Sequence, residues 1–263
     1  MKTLYPRNFW QALLLLFAGF ISGIFLPFLQ LSHHIVVLLT GVLLCTVIWC
    51  VFYLINRKNG HNIKYSFTNE WNSPVLLLST LFVVAFLLGV DYPIVHYLGH
   101  ALGLIKEDGG TMLSPLYVVV FISPLLEELA FRGSILHGLL GNMSRTRAVV
   151  LSAALFAAIH LLPHQMIGAF AFGVLFGIVY SRTRNLGHTI VLHIIANAMG
   201  MCTNHIYGHS APHNSLHIFL PALAATVAIT MLLVKHLHRN QLTTNNITTK
   251  ADRTVDKGAC PLV

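Results

Sequence analysis

Two adjacent carboxylates, Glu127 and Glu128, lie inside the apolar run Phe121–Arg132 (FISPLLEELAFR), with one arginine, Arg132, four residues after the second. The whole chain has only eight acidic residues. A charged side chain in hydrocarbon costs about 2.5–3.5 kcal/mol even on the insertion scale, so such a group is a functional-site hypothesis by default. On a helix Glu128 and Arg132 share a face and can neutralise each other. Glu127 points roughly 100° away, lacks that partner and is left free for chemistry. Pro124 removes a backbone N–H and can kink the helix there. For Glu128 and Arg132 the plainer alternative is a buried pair that only fixes packing.

Two further stretches carry catalytic-type groups. Phe156 and His160 are four apart, as are His193 and Asn197, so each pair shares a helix face. Alone, an intramembrane histidine or amide is often a packing hydrogen bond. Together with Glu127, three separate spans present such groups to one bundle interior. A carboxylate and a histidine can activate water as base and partner. A second histidine and an amide can donate to a developing oxyanion. That is a peptidase constellation without serine or cysteine.

These groups need a membrane bundle to position them, and the composition supplies one. The 263-residue chain is 56% hydrophobic and 9% charged, with a mean hydropathy of +0.72, against roughly 25% charged for soluble domains. It is read as an all-α integral membrane protein with one compact bundle. The net charge of +8 does not imply nucleic acid, because basic residues collect in cytoplasmic loops. Cys45, Cys50, Cys202 and Cys260 show no Cys-x-x-Cys spacing, hence neither a disulfide framework nor a zinc site. The first apolar run lacks a small-residue cleavage site and reads as a retained helix.

A span needs about 20 apolar residues. Eight are expected, approximately from Phe9 to Leu29, Ile35 to Ile55, Val75 to Val90, Leu113 to Phe131, Val149 to Leu162, Ile167 to Tyr180, Thr189 to Thr203 and Leu216 to Val234. The fifth, sixth and seventh are short. Basic residues cluster before span one and after spans two, four, six and eight. The opposite loops hold only Lys106, beside Glu107 and Asp108. Both termini are therefore expected in the cytoplasm. Four regions follow: helices over 1–112, a catalytic four-helix core over 113–203, an outer loop and last span over 204–240, and a disordered tail over 241–263. The tail places Cys260 fourth from its end, as in a prenylation box, but Pro261 suits that motif poorly. One tension stands out. Along these spans Glu127 and His193 fall near the cytoplasmic ends, whereas His160 falls near the far end. Either span five starts deeper, or the helices tilt.

The ordered set Glu127-Glu128-x-x-x-Arg132, Phe156-x-x-x-His160 and His193-x-x-x-Asn197 resembles the CAAX-protease and bacteriocin-processing (Abi, CPBP) family of intramembrane proteases. The resemblance covers about Pro115 to Met201. It implies an eight-helix endopeptidase with its site in a cavity within the bilayer, in a multi-pass protein of the bacterial plasma membrane. By motif position, Glu127 and His160 would activate the water, and His193 and Asn197 would stabilise the oxyanion. Glu128, Arg132 and Phe156 would support them. Implied partners are membrane lipids and a hydrophobic or lipidated peptide.

Members of that family are often called metalloproteases. A catalytic zinc takes three protein ligands plus water, which Glu127, His160 and His193 could just supply. A metal-free glutamate mechanism explains the same residues with Asn197 included, and no cofactor is the expectation here. His205, His209, His213 and His217 recur every four residues, but Gly208, Pro212 and Asn214 interrupt any helix there. His33, His34, His96, His100 and His164 also fall on the non-cytoplasmic side. Two other function classes compete: a non-catalytic immunity or scaffold protein, and a transporter or proton relay. The latter calls for inverted repeats, and none is evident.

Overall fold

The structure is a computed structural model and describes residues 3–29, 31–67, 73–93, 115–161, 163–207, 220–236 and 239. The expectations for Leu113, Lys106, His96, His100, His209, His213, His217, the tail and Cys260 lie outside the described residues. So do the side chains of His33, His34, His164 and His205.

The described chain is helical, with no β-strand among the described residues and one isolated bridge between Ser66 and Asn185. Helix α1 is Phe9–Gly23, followed by a 3-10 turn at Leu26–Leu29, and α2 is His33–Lys58. Helix α3, Ser73–Phe86, runs on into a π-turn at Leu87–Asp91. Helix α4 is continuous but changes register repeatedly. It is π over Val118–Ile122, α over Ser123–Ala130, π over Phe131–Leu136 and α over His137–Leu140. Then come α5 (Arg145–Ala158), α6 (Pro163–Thr183), α7 (Leu186–Tyr207) and α8 (Leu220–His236).

Among the described residues, five stretches are long and apolar enough to cross a membrane: Phe9–Leu29, Leu38–Lys58, Ser73–Asp91, Gln165–Thr183 and Leu186–Thr203. Helix α8 is shorter. Helix α4 carries Glu127, Glu128 and Arg132, and these charges lower its apolar character. Yet it is the hub. It touches α2, α5, α6 and α7, and its Phe131, Ile135, Leu136 and Leu139 are fully buried. Its C-terminal end is held by the N-terminal segment of the chain. Asn56 of α2 exchanges two hydrogen bonds with the backbone of Tyr5, at 2.8 and 2.9 Å. Asn142 donates to Leu4 O at 2.6 Å, and a Cβ on Gly138 would overlap Pro6.

Several boundaries differ from the sequence expectation, and the difference removes most of the depth tension. Span four does not stop at Phe131 but continues through Phe131–Leu136 and His137–Leu140. Glu127 therefore lies about 14 Å from Val118 and about 20 Å from Leu140 along the axis, near mid-helix. Polar residues continue the helix because each finds a partner inside the protein. Arg132 pairs with Glu128, Ser134 donates to Leu129 O at 3.0 Å, and His137 Nδ1 meets Tyr180 Oη at 2.7 Å. Helices α6 and α7 are likewise full length rather than short. Of these three only α5, at 14 residues, is short, and it starts at Arg145 rather than Val149.

Candidate active site

Glu128 is fully buried. Its Oε1 accepts from Arg132 at 2.6 Å, the ion pair that the i, i+4 spacing predicts. The same oxygen meets His193 Nδ1 at 2.8 Å. An ionised carboxylate only accepts, so Nδ1 carries the proton. Nε2 is then the ring nitrogen turned to Glu127, 3.7 Å from Oε2. That gap exceeds a hydrogen bond but is small enough for one water to touch both atoms. Glu127 is also the accessible member, with 22% of its side chain exposed against none for Glu128.

The guanidinium of Arg132 is held on all sides. Its second nitrogen donates to Gly173 O at 3.3 Å. Its carbon lies 4.7 Å over the Phe156 ring and 5.4 Å over the Phe176 ring. Cation–π contacts of this kind strengthen where water is absent. The approach of α6 that brings Gly173 here depends on small residues. A Cβ on Gly173 would lie 3.0 Å from Ala153 of α5, and one on Gly177 would lie 3.0 Å from Val149. Gly173-x-x-x-Gly177 is thus the small-residue spacing that lets helices close up in a membrane.

Phe156 joins the two histidines. Its ring stands edge-on to His160 at 5.0 Å and to His193 at 5.8 Å. His160 sits just past the end of α5, and its Nδ1 meets Phe156 O at 2.9 Å. A carbonyl only accepts, so here too Nδ1 carries the proton, and in the neutral ring Nε2 keeps its lone pair. His160 forms no ion pair or hydrogen bond with Glu127 among the described residues; the histidine facing Glu127 is His193. Asn197 is placed differently again. Its Nδ2 donates to the backbone carbonyl of Val119 at 2.8 Å, which ties α7 to the first π segment of α4.

The structure therefore gathers Glu127, Glu128, Arg132, Phe156 and His193 directly. It links His160 through Phe156, and Asn197 through the backbone. Sequence reasoning missed Phe176, which walls His193 at 5.4 Å, together with Gly173 and Val119. The small-residue spacing at Gly173 and Gly177 was the available signal for the first glycine. A backbone carbonyl leaves no signal in sequence.

Glu127 Oε2 and His193 Nε2 are near enough to share an ion. However, among the described residues no three His, Cys, Asp or Glu side chains gather into a group that could hold a metal. The set Glu127, His160 and His193 does not fit as a ligand triad in this arrangement, so no chemical step is routed through a metal.

No curated protein and no solved structure matches the chain. Residues 109–199 match the family model described as type II CAAX prenyl endopeptidase, Rce1-like. Every residue placed above in the carboxylate–histidine cluster lies within that stretch, so the part of this integral membrane protein that holds the cluster is similar to the Rce1-like family model.

Proposed function

We propose that the protein is an intramembrane endopeptidase that hydrolyses a peptide bond in a hydrophobic or lipidated peptide by glutamate-activated water. The observation that carries this reading is the 3.7 Å approach of His193 Nε2 to Glu127 Oε2, with His193 locked from behind by Glu128. Glu127 takes a proton from water as the oxygen attacks the scissile carbonyl carbon. His160 Nε2, its ring fixed by Phe156 O, accepts a hydrogen bond that holds that water. With Nδ1–H given to Glu128, His193 donates to the oxyanion when Nε2 also carries a proton. His193 Nε2–H and the second N–H of Asn197 then face the tetrahedral oxyanion. Glu127 returns its proton to the leaving amine as the C–N bond breaks.

The substrates that suit such a site are lipidated C-terminal boxes or leader peptides in a bacterial plasma membrane. Comparative peptidomics of membranes holding the wild type or Glu127→Ala tests the reading. Peptides cut only with the wild type are expected. Identical peptide sets, with both proteins folded at equal abundance, would sink it.

A further inference from the structure

The π-turn Val118–Ile122 and Pro124 together leave one backbone carbonyl without a helical partner. At this turn the Ser123 N–H bonds Val118 O, a five-residue step. Ser123 is therefore not the donor for Val119 O, which it would be in an α-helix. The five-residue donor for Val119 O would be residue 124, and Pro124 has no N–H. Within a membrane bundle, such a carbonyl must be satisfied from elsewhere. Asn197 Nδ2 supplies the bond at 2.8 Å, from the facing helix α7.

We infer that Pro124 is a positioning residue: by withholding its N–H it recruits Asn197 to Val119 O, and this cross-helix bond sets the register of α7 against α4. Asn197 lies one turn beyond His193 on the same face of α7. The pin therefore fixes where His193 stands between Glu128 and Glu127. It also holds Asn197 with one amide hydrogen spent and one remaining. π-Turns cluster at functional sites, and this one has a definable cause and a definable partner. The inference rests on the peptidase reading only for its catalytic consequence; the pin itself is a statement about structure.

A double-mutant cycle in purified full-length protein tests it. Asn197→Leu, which keeps volume but removes the donor, should lower the melting temperature of the wild type by roughly 2–4 °C. In the Pro124→Ala background, the backbone N–H restored at position 124 can serve Val119 O. There Asn197→Leu should produce less than half that drop. Equal drops in both backgrounds, or none in the wild type, would overturn the pin. If Pro124→Ala does not accumulate, Pro124→Ser restores the same N–H and is read the same way. On a cleavable lipidated peptide, Pro124→Ala should lower kcat by about 10- to 10²-fold, the scale of a small misplacement of catalytic groups. KM should stay within about twofold. An unchanged kcat would overturn the positioning role even if the stability cycle holds. Absence of cleavage by the wild type itself would instead count against the peptidase reading, and the melting cycle would still decide the pin.

Discussion

At the level of single residues, the arrangement assigns unequal costs. Glu127 is the only carboxylate of the pair that is accessible and not committed to Arg132. Without it the water has no base, so Glu127→Ala should abolish measurable turnover. In the proposed scheme Asn197 offers one oxyanion donor, and losing one such donor typically costs about 10²–10³ in turnover. Asn197→Ala should fall by that order while substrate affinity persists; steady-state kinetics on a lipidated peptide separates the two effects. A larger loss in Asn197→Ala than in Glu127→Ala would reverse the roles. The metal question belongs at this scale too. With no gathered ligand triad among the described residues, chelator-treated protein should keep full activity. Stoichiometric zinc that leaves with activity and restores it on return would overturn the glutamate scheme. The candidate residues themselves stand out by type and spacing, since charged and imidazole groups are conspicuous in apolar helices. Their pairing was not legible. The family resemblance pairs Glu127 with His160 around the water; that His193 also stands 3.7 Å from Glu127 was not legible, because contacts across helices leave no trace in any one helix.

At the level of elements, α4 decides what the site can be. Removing one partner of a buried ion pair costs about 3–5 kcal/mol, because the other charge is left uncompensated. Glu128→Ala and Arg132→Ala should each lower the melting temperature and the amount of folded protein in the membrane. Replacing both by leucine should recover much of that stability, since a buried pair often breaks even against apolar side chains. It should not recover activity, because His193 Nδ1–H loses its acceptor at Glu128. If the double variant is as unstable as the singles, the pair contributes through packing rather than charge. If it is active, His193 needs no orienting group. The helices themselves were largely legible in hydropathy. The end of span four was not, because Arg132, Ser134 and His137 read as the start of a polar loop. Each is instead bonded inside the bundle, to Glu128, Leu129 O and Tyr180. The π-turns were not legible either; proline at position 124 announces a break, but not which carbonyl it strands.

At the level of the whole molecule, orientation decides which face of the membrane delivers substrate. Basic residues accompany Leu140 and the ends of α2 and α6: Arg57 and Lys58 close α2, Arg145 and Arg147 open α5, and Arg182 and Arg184 surround the end of α6. Short connections join α4 to α5 and α6 to α7, so these ends lie on one side. By the positive-inside rule that side is expected to face the cytoplasm. In that orientation Glu127, about 20 Å from Leu140 along α4, would sit well inside the bilayer rather than at its inner surface. On the proposed reading a substrate would enter laterally or thread inward, a route that suits a lipid-anchored or hydrophobic peptide. The orientation is testable with single-cysteine variants in a background lacking Cys45, Cys50, Cys202 and Cys260. Position 250 should react with a membrane-impermeant maleimide only from the cytoplasmic side, and position 106 only from the opposite side. Labelling of both from the same side would break the alternation of charge on which the eight-span topology rests. It would also return the depth of Glu127, and with it the route of the substrate, to the cytoplasmic edge.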